Sequence, residues 1–161
     1  SGTFVANIGS IAMKGMIEDI LSLGLPNFKS LVETRILLEL KAVRLAAERR
    51  TDDDLKRLKE TLDAHETKLL AGEDAVQEDL LFHLAIAKAS GNVTMNQIMF
   101  SITPQIIVDF KKYHKDYNNL DELRIEEHAD IYQAIKDQKP ELAEKMMKKH
   151  FKLLYEYCDV K

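Results

Sequence analysis

This chain is poor in the residues that build turns, crosslinks and membrane spans. Its 161 residues include one cysteine, three prolines, six glycines and no tryptophan. The lone Cys158 excludes an internal disulfide and fits a reducing compartment. So few glycines and prolines, with little clustering of β-branched residues, count against a turn-rich β-fold and favour helices. No run of about 18 apolar residues occurs, so no segment reads as a membrane span. The first residues show no basic-plus-apolar leader pattern, and the expected location is the cytoplasm. Positive charge is not in excess either: 23 Lys+Arg stand against 27 Asp+Glu, a net charge of −4. Gripping a phosphate backbone needs a concentrated basic surface, so this chain by itself is not expected to bind nucleic acid. Also missing are a glycine-rich phosphate loop, a Gly-x-Ser-x-Gly elbow and a His-Glu-x-x-His signature.

What remains is helical periodicity. A composition of 45% hydrophobic and 31% charged residues suits one globular domain with a substantial core. Seven helices are expected. The first covers about 11–24, ending at Gly24 with Pro26 beyond. The second, about 30–50, carries Leu31, Ile36, Leu37, Leu40, Val43 and Ala47 at helical spacing. The third follows Thr51 or Asp52 as N-cap, with Asp53 and Asp54 at the positive helix end. The fourth spans about 74–90 and ends at Ser90-Gly91. The fifth, about 93–117, contains Pro104, which predicts a kink or break. The sixth covers about 120–138. The seventh starts with Pro140 in its first turn and runs to about Cys158. Short loops imply antiparallel neighbours, hence an all-α antiparallel bundle of six to seven helices over residues 10–161. The opening SGTFVANIGS stands apart, because Thr3-Phe4-Val5 reads as a strand fragment without a partner.

Three of the five histidines fall on apolar faces. His83 has Leu80, Leu84 and Ala87 around it. His128 has Ile125, Ile131 and Tyr132. His150 has Met146, Met147, Leu153 and Leu154. His65 lies on a mixed face and His114 in a charged helix end, KKYHKDY. Asp79 precedes His83 by four residues and so shares its helix face. Burying four polar groups costs several kcal/mol unless they find partners. A divalent cation satisfies all four, since imidazole nitrogens and a carboxylate suit Zn, Ni, Mn or Fe. A buried hydrogen-bond network is the alternative, and periodicity leaves both open. A ferritin-like di-metal bundle is disfavoured, because no Glu-x-x-His occurs.

Arg35 sits within VETRILLELKAVRLAAERR. It reads either as a surface ion pair with Glu39 at i+4 or as an inward guanidinium that forks a carboxylate. Glu78, Glu126 and Glu127 lie close to the candidate ligands, but each falls on a face adjacent to the core. No inward acid beyond Asp79 stands ready as a general base. The lysine-rich KMMKKH and DFKKYHK read as solvated helix faces.

Three segments together resemble the C-terminal effector-binding (FCD) domain of FadR-type regulators in the GntR family: VETRILLELKAVRLAAERRTDDDLKRL, EDLLFHLAIAKASGN and EEHADIYQAIKDQKPELAEKMMKKHF. The resemblance covers about residues 10–158. It implies that Asp79, His83, His128 and His150 bind a divalent metal, Zn, Ni, Mn or Fe. It implies a small organic acid effector, a carboxylate or hydroxy acid, that completes the metal's coordination and meets Arg35. Asn92 matches a polar residue that often follows the Ser-Gly of this motif, with helix capping as its plain alternative. SGTFVA is similar to the last wing strand of the winged helix in such regulators. Residues 1–9 are therefore expected to be the remnant of that strand and a linker. The resemblance further implies a homodimer that binds DNA only through the N-terminal domain, with no membrane partner. The expected function is ligand sensing in a transcription factor, not catalysis. A metal-dependent hydrolase on a helical bundle and a metal-free dimerisation module are the alternatives.

Overall fold

The computed structural model describes residues 28–113 and 121–158, together with Gly15. Side chains are described for 28–107 and 124–156. The helix expected over 11–24, the strand-like opening, His114 and the Cys158 thiol lie outside the described residues. Within them are seven helices and no strand: α1 Phe28–Arg49, α2 Asp52–Leu70, α3 Val76–Ala89, α4 Val93–Tyr113, α5 Asp121–Lys136, α6 Pro140–His150 and α7 Lys152–Cys158. They form the expected all-α antiparallel bundle.

α1 is the central helix, touching α3, α4, α5, α6 and α7. Its sequence allows this because Ala42, Ala46 and Ala47 are fully buried and let neighbouring backbones approach. Leu31, Val32, Ile36, Val43 and Leu45 complete its buried faces, whereas Leu37 is exposed. Arginines at the end of α1 tie down two other helix ends. Arg49 donates to the Ser90 carbonyl at 3.1 Å and Arg50 to the Lys136 carbonyl at 2.7 Å. Both carbonyls belong to helix C-termini, which lack intrahelical donors.

α2 opens on a complete capping box. The Thr51 hydroxyl accepts from the Asp54 N–H at 3.1 Å, and the Asp54 carboxylate accepts from the Thr51 N–H at 2.9 Å. α3 ends at Gly91, whose φ of +67° is the left-handed turn that glycine adopts without strain.

One expectation is narrowed and one is corrected. Of the kink or break expected at Pro104, there is no break: α4 runs through it. The carbonyl that loses its donor belongs to Phe100, on the exposed side of the helix, where water can donate instead. The helix expected over 140–158 is two, α6 and α7, interrupted at Phe151. No glycine or proline marks that point. Phe151 instead turns a buried ring toward the core.

Candidate metal centre

Four side chains from three helices converge inside the bundle. Asp79 and His83 stand one turn apart on α3, His128 comes from α5 and His150 is the last residue of α6. Each offers one ligand-type atom, and the four atoms lie within 4.8 Å of one another. His128 Nε2 is 3.1 Å from Asp79 Oδ1, and His83 Nε2 is 3.7 Å from the same oxygen. His150 Nε2 is 3.2 Å from His83 Nε2. His83 and His128 are fully buried, and Asp79 and the His150 ring nearly so.

Every one of these rings is backed by a partner on Nδ1. Behind His83 is a carboxylate oxygen of Glu39, in short contact. Behind His150 is Glu127, at 3.1 Å. Behind His128 is the imidazole of His65, with Nδ1 to Nδ1 at 3.2 Å. A partner on one ring nitrogen fixes orientation and tautomer and aims the other nitrogen at the centre. Glu39 is held in turn by Arg35, whose Nε–H donates to it at 2.6 Å. Aromatic rings complete the wall. Phe82 lies 4.6 Å from the His128 ring, and Phe151 lies 5.8 Å and 5.4 Å from those of His83 and His150. The Arg35 guanidinium sits 5.2 Å over Phe151.

Burial is the main electrostatic influence. It lowers His65, His128 and His150 to about 3, so all three imidazoles are neutral near pH 7, the form that ligates metals. Burial would raise the two inner carboxyls, but the guanidinium and imidazole groups around them outweigh it through charge and hydrogen bonding. Arg35 and His83 hold Glu39 at about 2. His128, His83 and Arg124 hold Asp79 well below the usual carboxylate range. Glu127 is raised by burial, against the pull of Lys149, His128 and Arg124.

One pair of atoms shows that the cluster is not a fully satisfied hydrogen-bond network. Asp79 Oδ1 and His128 Nε2 are 3.1 Å apart, yet neither has a hydrogen-bond partner. A finished network would align them, because buried polar groups rarely stay unsatisfied. His83 Nε2 and His150 Nε2 are within hydrogen-bond distance of each other. The unpaired atoms of the cluster are therefore Asp79 Oδ1 and His128 Nε2, and a shared ion is one way to satisfy them. Bonds of about 2.0–2.2 Å place opposite ligands on one first-row metal roughly 4 Å apart, close to the span of this cluster. Three imidazoles and one carboxylate are a donor set for Zn, Ni, Mn or Fe.

The family model of the FCD domain matches residues 30–153. The chain belongs to the FCD family. Its relatives are named as transcriptional regulators, the class expected from sequence. The HTH-type transcriptional regulator LutR of Bacillus subtilis is 32% identical over 66% of this chain and 51% of its own length. The HTH-type transcriptional repressor NanR of Cronobacter sakazakii is 27% identical over 89% of this chain and 55% of its own. This FCD domain thus spans about half the length of those relatives. Among solved structures, a GntR protein of Streptococcus agalactiae superposes with a TM-score of 0.69 at 29% identity, covering 81% of this chain and 58% of that one.

The FCD fold brings together the four residues singled out as metal ligands, and it buries Arg35 beside them. The ion pair of Arg35 with Glu39 exists, but inside the core rather than on the surface. Asn92 is half-buried at the start of α4, where its Oδ1 accepts from the Met95 N–H at 3.0 Å, a helix-capping bond. Glu78 is paired with Lys68 at 2.8 Å. Periodicity missed the backing residues. His65 looked mixed because Thr61 and Lys68 share its neighbourhood, and Glu39 looked like a surface partner. The signal for Glu39 was its place seven residues after Val32 and four before Val43, squarely on the buried face.

Proposed function

We propose that this FCD domain is the effector-sensing half of a transcription factor, binding a divalent metal and a small organic acid. Asp79, His83, His128 and His150 would hold the ion. The observation that carries this reading is the pairing of inward Nε2 atoms with backed Nδ1 atoms on all three histidines, beside an orphaned Asp79 oxygen. When bound, the ion supplies a Lewis-acidic centre with coordination positions open to a carboxylate or hydroxy acid.

The protein's own residues do the rest. Glu39, Glu127 and His65 orient the imidazoles. Arg35 uses Nε–H on Glu39, and its two terminal nitrogens are the fork that meets the acid's remaining oxygens. Phe82 and Phe151 keep water from the imidazoles. Asn92 lines the ligand in addition to capping α4. Catalysis is not part of the reading, since Glu39, Glu78 and Glu127 are each committed to a partner and none is free as a general base.

In the full-length protein, the domain would form a cytoplasmic homodimer and act on DNA through an N-terminal winged helix; its relatives are named HTH-type regulators. Ligand binding would favour one arrangement of the paired subunits and so set the spacing of the two DNA-binding halves. The test is elemental analysis of the untagged chain, repeated with His128→Ala plus His150→Ala, followed by a thermal-shift screen of small organic acids. Stoichiometric metal in the wild type alone, and acid-dependent stabilisation that needs the metal, are expected. A metal-free wild type, or turnover of a stabilising acid, would defeat the proposal.

A further inference from the structure

His65 differs from the other two backing residues. Glu39 and Glu127 are carboxylates and only accept from the nitrogens they face. His65 is an imidazole that can donate or accept. Its ring is 1% exposed and lies 4.5 Å from the ring of His128, tilted by 52°. The two Nδ1 atoms are 3.2 Å apart, so one of them carries the proton and the other the lone pair. The second nitrogen of His65, Nε2, is buried and has no hydrogen-bond partner.

We propose that His65 is a positioning residue for the metal centre: its Nδ1 accepts from the Nδ1–H of His128 and so keeps His128 Nε2 unprotonated, facing Asp79. The inference rests on the metal-site reading above and adds to it a residue outside the ligand set. It also assigns the orphan. With its Nδ1 lone pair in use, His65 must carry its proton on Nε2, where no acceptor stands. Such a group disfavours the metal-free fold. A residue present only for packing would not carry this burden, because leucine fills similar space on a helix already lined by Leu58, Leu62 and Leu69.

The two roles separate on substitution. His65→Leu removes both the acceptor and the orphaned donor. The metal-free chain should then melt at the same temperature as wild type or higher, while zinc affinity, measured by chelator competition, falls about 10- to 100-fold. His65→Asn places a carbonyl oxygen near the former Nδ1, and zinc affinity should return to within a few-fold of wild type. A merely structural role moves melting and affinity together and shows no rescue. Zinc binding by His65→Leu equal to wild type, or binding by His65→Asn as weak as by His65→Leu, overturns the inference. The ¹⁵N spectrum of the metal-free wild type gives an independent reading. His128 should carry its proton on Nδ1, and a proton on Nε2 overturns the role of His65. If the wild type takes up no zinc, the metal reading fails, yet this tautomer still decides whether His65 positions His128.

Discussion

The carboxylate of Glu39 stands behind the imidazole of His83, one oxygen against its Nδ1 and the other accepting from Arg35 at 2.6 Å. All three side chains are buried. One acid on the central helix therefore links the arginine proposed to meet a ligand with a histidine proposed to hold the metal.

Glu39→Gln tests that link. The amide keeps the shape but removes the charge, leaving the Arg35 guanidinium buried without its counter-ion. Breaking one side of a buried pair typically costs about 3–5 kcal/mol; because glutamine keeps an acceptor oxygen, a loss near the lower end is expected in urea unfolding. Metal affinity should fall by about 10- to 100-fold, since His83 loses its anionic backing. Unfolding and metal competition both matching wild type would refute the linkage.

Acid should unfold the metal-free domain earlier than its surface carboxylates require. His65, His128 and His150 are lowered by burial to about 3, while in an unfolded chain they titrate near 6.5. The unfolded state therefore binds more protons between those values. The stability tied to these rings is complete above pH 6.5 and is lost as pH falls toward 3, by up to about 1.4 kcal/mol per pH unit for each ring. Glu39 and Asp79, also lowered, act in the same direction at still lower pH, whereas Glu127 opposes them. Urea midpoints at pH 7.5, 6 and 5 should fall progressively. A constant midpoint across that range would mean that the rings are not held neutral.

Much of this architecture was legible because it is written in periodicity and punctuation. The capping box at Thr51, Gly91 at the end of α3 and Pro140 at the start of α6 are local devices, readable one at a time. The inward positions of Asp79, His83 and His128 followed from apolar neighbours at i±3 and i±4. The break at Phe151 was not legible, because it reflects a ring drawn toward His83, His150 and Arg35 across the bundle. His65 and Glu39 were misjudged for the same reason. A polar residue on a mixed face shows whether it is buried only when the partner helix is in place. Leu80 and Leu84 show the converse: both looked like core, yet the fully buried residues of α3 are Phe82, His83, Ile86 and Ala87, and the two leucines lie at its margin.

Phe82→Leu separates packing from ligation. The Phe82 ring is fully buried and tilts over His128 at 4.6 Å. Truncation to leucine leaves a small cavity, and a loss of roughly 1–3 kcal/mol is expected, below the 3–5 kcal/mol typical of Phe→Ala. Stoichiometric metal should survive, because Phe82 offers no ligand atom. Metal loss at unchanged folding would place Phe82 in the ligand-orienting set.

Arg35→Lys addresses the acid. Lysine keeps a cation beside Glu39 but replaces the planar fork by a single ammonium. Folding should weaken modestly and metal content stay stoichiometric. The decisive readout is the affinity for whichever small carboxylate stabilises the wild type in the thermal-shift screen. Losing one arm of a charge-assisted pair is worth about 1.5–3 kcal/mol, which is roughly a 10- to 150-fold weaker Kd. Asn92→Ala is the control with the opposite profile. It removes the cap of α4 and should lower melting by the equivalent of about 1 kcal/mol with or without acid, whereas a direct ligand contact adds a loss of affinity beyond that. Full acid affinity in Arg35→Lys would leave Arg35 as a support for Glu39 alone.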